Sequence, residues 1–221
     1  MIKSMAVWCL VIIVGYAFFV LSQVPFQMGF LGGFTGINIT IAALLQGILV
    51  IPIIYWGLKY LNLNFKEIGF TTDKWKEDVF LAVVVTVIRS VIFFIWIIPY
   101  TDHSRVLTML DNNWQNIIWM IPLVSIIGPL TEELFNRGFF IGGIAAIFRG
   151  SKIAIIAAAL LGVFVFSAGH LPGNTIEWIG ILIPSILYTG LFLCTKRLTA
   201  SIVTHSLWNT VATLYIFWMY L

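Results

Sequence analysis

Apolar positions in this chain run in long blocks separated by short polar breaks. Seven stretches approach the ~20 apolar residues that a helix needs to cross a hydrocarbon core. They are Met5–Gln23, Ile39–Leu58, Val79–Tyr100, Ile117–Phe148, Ile153–His170, Ile176–Cys194 and Ala200–Tyr220. This pattern predicts an all-α, polytopic integral membrane helix bundle of seven transmembrane helices, or eight if the overlong fourth splits. Gly128, Pro129 and Gly138 mark where that fourth helix would bend or unwind. The first span follows MIKS without a small-residue cleavage site, so it reads as an uncleaved anchor. The polar insert Asn64–Asp78, within a break at about residues 62–78, reads as an interfacial loop anchored by Phe65, Phe70 and Trp75. No internal repeat, low-complexity tract or soluble domain is visible.

Composition supports lipid as the solvent. Hydrophobic residues make up 61 % of the 221 and charged residues 10 %, against ~25 % charged in a soluble domain. The formal net charge of +3 comes with no basic run of the kind that engages nucleic acid, so no nucleic-acid partner is expected. Lysines and arginines instead report orientation. With a cytoplasmic N-terminus the inner segments hold Lys3, Lys59, Lys66, Lys74, Lys76, Arg149, Lys152, Lys196 and Arg197, and the outer loops hold Arg105 alone. Cys9 and Cys194 lie inside apolar runs and read as small buried side chains, with neither a disulfide framework nor a Cys-rich metal site indicated.

Several ionisable groups remain inside the spans, where a charge costs on the order of 3 kcal/mol. Glu133 and Arg137 are four residues apart, share a helix face and can pair. Glu132 lies about 100° round the same helix with no local cation, and an unpaired carboxyl in low dielectric suits a general acid or base. Phe166 and His170 share a face near the end of the fifth span, and His205 and Asn209 share one on the last. Each group alone can be interhelical glue. A glutamate, two histidines and an asparagine on three helices can also converge on one buried polar site. His103, beside Asp102 in a polar loop, reads as solvated, and Arg89 as a carboxylate's partner or a snorkelling residue.

Three short patterns, EELFNR, FSAGH and HSLWN, carry a resemblance. They match Glu-Glu-x-x-x-Arg, Phe-x-x-x-His and His-x-x-x-Asn in that order. Over about Pro129–Thr210 the chain therefore resembles the CAAX-protease and bacteriocin-processing family of intramembrane proteases, also called CPBP or Abi proteins. The resemblance implies an intramembrane endopeptidase in a prokaryotic plasma membrane. Residues 1–115 would supply N-terminal helices and the interfacial loop, and residues 116–221 the catalytic core. Glu132 would activate water with help from His170, and Glu133 and Arg137 would be the supporting pair, with Phe166 beside them. His205 and Asn209 would stabilise the oxyanion. The implied substrate is a peptide or protein, lipidated or membrane-associated: relatives act on prenylated CAAX peptides, bacteriocin leaders or signalling peptides.

A metal-free glutamate mechanism is favoured by resemblance to the ras-converting CAAX endopeptidases. Zinc held by Glu132, His170 and His205 is the alternative cofactor, although no His-Glu-x-x-His helix is present. Two other functions compete: a non-catalytic immunity or scaffold protein, and a proton-coupled transporter, for which no inverted repeat is found. One feature of straight-helix geometry conflicts with convergence. Glu132 and His170 would lie about 28 Å from the Arg149–Lys152 turn, whereas His205 would lie only about 12 Å from Arg197.

Overall fold

The computed structural model describes residues 1–98 and 113–220. Among these, all regular structure is helical. The long helices are α1 (Ile2–Gln27), α2 (Ile37–Tyr60), α3 (Trp75–Ile97), α4 (Ile117–Ile147), α5 (Lys152–Gly169), α6 (Thr175–Thr195) and α7 (Thr199–Tyr220). The first six are long and apolar enough to cross a membrane. α7 has the length but carries His205, Asn209 and several serines and threonines along it. Asp102, His103 and Arg105 lie outside the described residues.

Helix α4 does not split: its 31 residues run on through both glycine positions. Its backbone widens instead, into π-helical turns over Met120–Ile127 and Leu134–Gly142, with a normal α segment, Gly128–Glu133, between them. Pro129 stands in the first turn of that segment, where its missing N–H costs least. Side chains take up backbone carbonyls in the second widened stretch and just before it. Trp8 Nε1 donates to Phe140 O at 3.1 Å and Asn136 Nδ2 to Glu132 O at 2.9 Å.

Polar caps start the two helices that follow. Ser151 caps α5 through the Ala154 N–H. Asn174 Oδ1 accepts from Glu177 N at 3.0 Å to open α6, while the Glu177 carboxylate reaches back to Gly173 N at 2.7 Å. The core lies where α4 meets α1 and α2, around Phe135, Phe139, Phe140, Ile54, Leu58 and Val11. α7 packs between α3, α6 and α4, in the position needed to carry a side chain to the middle of α4.

The cysteine reading is corrected. Cys9 and Cys194 are free and face outwards, as do Ile13, Ile48, Phe80, Ile153 and Leu160. In a bilayer the outer surface is as apolar as the interior, so hydropathy cannot separate the two.

The depth conflict also has a structural reason. The break between α2 and α3 is more than an interfacial loop, because its middle dips into the bundle and Ile68 is 1 % exposed. There it packs, with Leu198 of the α6–α7 turn, against two glycines of α4. A Cβ on Gly138 would meet Leu198 Cδ1 at 3.0 Å and Ile68 Cδ1 at 3.1 Å, and one on Gly142 would meet Ile68 Cα at 3.3 Å. The α6–α7 turn is therefore level with Gly138, well short of the Arg149–Lys152 turn. Seven residues from Leu198 to His205 and six from Gly138 to Glu132 span about 10 and 9 Å, so the two side chains arrive at one depth.

Three ties hold that turn to the loop and to the first turn of α3. Leu198 N donates to Gly69 O at 2.8 Å, Thr199 Oγ1 donates to Thr71 O at 3.0 Å, and Arg197 grips Asp78 through two hydrogen bonds of 2.6 and 2.8 Å. The Asp78 carboxylate holds the Arg197 guanidinium above its ordinary pKa. Gly69 has φ +88°, and a Cβ there would lie 2.8 Å from Lys196 O, so both its backbone and its neighbour require glycine.

Candidate active site

The two adjacent glutamates of α4 have different environments. Glu133 is fully buried, and its Oε1 accepts from Arg137 Nη1 at 3.1 Å and from His205 Nδ1 at 2.9 Å. Arg137 is itself 1 % exposed. Its remaining donors go to α6, with Nε to Thr189 Oγ1 at 3.3 Å and Nη2 to Ser185 O and Oγ at 3.1 and 2.9 Å. The Phe166 ring closes over the guanidinium at 4.4 Å. A buried ion pair tolerates its loss of hydration only when such bonds satisfy its spare donors, and this one links α4, α6 and α7.

Glu132 escapes that network. Its side chain retains 21 % exposure, and its Oε2 has no hydrogen-bond partner among the described residues. That oxygen lies 3.9 Å from His205 Nε2, within ion-pair reach but beyond a hydrogen bond. His205 thus turns Nδ1 to Glu133 and Nε2 to Glu132. A carboxylate only accepts, so Nδ1 is the donor to Glu133, and Nε2 is turned toward Glu132. Tyr188 stacks on the imidazole with ring centroids 4.5 Å apart.

A cavity of about 370 Å³ opens beside Glu132, between α1 on one side and α4 and the end of α5 on the other. Glu132, Asn136, Phe166 and His170 line it, with Tyr16 and Phe19 from α1. His170 stands one residue past the end of α5, where its Nδ1 donates to Phe166 O at 2.8 Å and its ring meets Phe166 at 4.6 Å. A carbonyl only accepts, so Nδ1 carries the proton and Nε2 is left free.

The structure brings Glu132, Glu133, Arg137, Phe166 and His205 into one cluster and sets His170 on the wall of the same cavity. Asn209 stands one turn beyond His205, half-buried, and is not part of that wall. Among the described residues, no three His, Cys, Asp or Glu side chains are grouped closely enough to hold a metal ion. Glu132, His170 and His205, the alternative zinc set, form no such group.

Sequence reading missed the contribution of α1. Tyr16 donates its hydroxyl to Asn136 Oδ1 at 2.6 Å, and Asn136 donates in turn to the Glu132 carbonyl. Asn136 sits inside EELFNR, and its polarity in an apolar helix was the available signal. Nothing marked Tyr16 among the aromatics of α1. Arg89 pairs with no carboxylate among the described residues and does not snorkel. It donates to the Tyr188 hydroxyl and lies 3.8 Å over the Trp208 ring, which supplies a cation–π contact in place of a counter-ion.

Carboxylates and imidazoles gathered midway through a helix bundle, beside a cavity, define a polytopic membrane protein with a buried cluster of ionisable side chains. Residues 113–211, just under half of the chain, match the family model described as type II CAAX prenyl endopeptidase, Rce1-like, and this supports membership of the CAAX-protease family. That stretch contains Glu132, Glu133, Arg137, Phe166, His170, His205 and Asn209 and stops short of α1–α3. No curated protein and no solved structure matches the chain.

Proposed function

We propose that the protein is an intramembrane endopeptidase in which Glu132 activates the water that attacks a peptide bond. The observation that carries this reading is the unequal treatment of two neighbouring carboxylates. Each keeps a buried Oε2 without a hydrogen-bond partner among the described residues. Glu133, however, is fully buried and neutralised by Arg137 and His205, whereas Glu132 makes neither hydrogen bond, retains exposure and lines the cavity. A base needs a free lone pair facing the reacting water.

In this reading Glu132 takes the water's proton as its oxygen adds to the scissile carbonyl. His170, with Nε2 free on the cavity wall, assists the proton's passage to the leaving amine. The Asn209 amide and the imidazole of His205, which must carry a proton on Nε2 as well as on the Nδ1 held against Glu133, stabilise the oxyanion from α7, behind the side chains that line the cavity. The Arg137–Glu133 pair fixes the α4 and α7 backbones around them. The N-terminus is cytoplasmic, following the basic residues, and the substrate is a membrane-associated peptide.

The test is cleavage by protein reconstituted in lipid vesicles, presented with a panel of internally quenched peptides with and without C-terminal lipidation. Glu132→Gln is expected to abolish cleavage while insertion and folding persist. Cleavage that continues in Glu132→Gln, or that is absent from the wild type across the panel, overturns the reading.

A further inference from the structure

The basic residues and the cavity lie at opposite ends of the bundle. Lys3 opens α1, Lys59 to Lys76 flank the α2–α3 connection, Arg149 and Lys152 bracket the α4–α5 turn, and Lys196 and Arg197 form the α6–α7 turn. Contacts show that these connections share one face. Met1, Ser4, Leu61, Leu63 and Arg149 line a common hollow, and Gly69 is hydrogen-bonded to Leu198.

The cavity opens toward the other end. It is walled by the C-terminal half of α1, from Tyr16 to Gln27, by Phe34 of the α1–α2 connection, and by Gly169, His170 and Leu171 where α5 stops. The connections there, residues 28–36 and 170–174, carry no lysine or arginine. Glu132, in its wall, is fifteen residues from Ile147 and so about 22 Å from the basic end of α4.

Positive charge is retained on the cytoplasmic side of a membrane protein. We infer that the candidate active site opens to the non-cytoplasmic side and takes uncharged, apolar peptide segments that reach it from the outer half of the bilayer. The substrate part of this inference rests on the protease reading, but the sidedness does not. The walls fit that substrate: Phe19, Val20, Val24, Phe34 and Leu171 are apolar, and Gln23 and Gln27 offer neutral amides at the mouth. Glu132 is the one acidic group among them, so an acidic segment would be repelled there. A peptide held on the cytoplasmic side would face the loop that seats Ile68 and Leu198 against α4, with Glu132 behind it.

Single-cysteine labelling tests the sidedness without any substrate. In full-length protein with Cys9 and Cys194 replaced by alanine, Gln27→Cys and Leu171→Cys report on the cavity mouth and Ser151→Cys on the basic end. A membrane-impermeant maleimide added to intact spheroplasts is expected to label Gln27→Cys and Leu171→Cys, and to reach Ser151→Cys only after permeabilisation. Labelling of Ser151→Cys from outside, alone or together with the mouth positions, overturns the inference. This measurement and the Glu132→Gln assay fail independently. An inverted labelling pattern with Glu132-dependent cleavage removes only the sidedness, and the expected pattern with Glu132-independent cleavage removes only the protease reading.

Discussion

His205 Nδ1 lies 2.9 Å from Glu133 Oε1, the same carboxylate oxygen that binds Arg137. One oxygen thus holds the imidazole of α7 and the guanidinium of α4 in a fixed relation. The two neighbouring glutamates should then fail differently. Glu133→Ala leaves Arg137 buried without its counter-charge, a change that costs about 3–5 kcal/mol. It should lower the unfolding midpoint in detergent micelles markedly. Glu132→Gln should leave that midpoint unchanged while cleavage is lost. Equal melting of the two variants would show that the carboxylates share one structural role.

Tyr16 and Asn136 should act on Glu132 as a unit. Tyr16→Phe keeps the ring edge-on to Phe135 at 5.1 Å and removes only the hydroxyl that donates to Asn136. The expected stability cost is about 1 kcal/mol. The informative readout is kinetic: kcat should fall by a larger factor than KM rises, because the lost hydroxyl loosens Asn136 and the Glu132 carbonyl it holds, while the cavity wall changes by one oxygen atom. Asn136→Leu should have the same effect, and the double variant should be no worse than either, the non-additivity expected of contacting residues. Additive losses would mean that the two side chains work separately.

The sequence revealed more of the chemistry than of the geometry. Seven helices and the charged cluster on α4 were legible because charge is rare in an apolar helix and spans have a minimum length. The outward facing of Cys9 and Cys194 was hidden, since lipid and interior look alike in hydropathy. Ile68 was hidden too: a single isoleucine in a polar loop does not announce that the loop enters the bundle. That one residue, seated against Gly138 and Gly142, decides how deep His205 lies. The Tyr16–Asn136 contact joins positions 120 residues apart and has no local signature.

Gly69 offers a test of that depth argument. Alanine there adopts a left-handed conformation at a cost of roughly 1–2 kcal/mol, and its Cβ also meets Lys196 O at 2.8 Å. The α6–α7 turn must shift to relieve the contact, and His205 moves with it. Gly69→Ala should therefore reduce cleavage by more than its loss of stability explains, measured at a temperature where the variant remains folded. Full activity in folded Gly69→Ala would disconnect the loop from the position of His205.

Removing metal should leave the reaction intact. His170 and His205 each commit Nδ1 to a protein acceptor, Phe166 O and Glu133 Oε1, and each keeps one nitrogen available. A zinc site would need both remaining nitrogens and the Glu132 carboxylate about 2 Å from one point, and these side chains are not gathered to that extent. Cleavage by the reconstituted protein is expected to survive a strong zinc chelator, with zinc well below one per chain by elemental analysis. Loss of activity on chelation, restored by added zinc and absent in His170→Ala, would show that the three side chains close on a metal during turnover, and Glu132 would then be a ligand as well as a base.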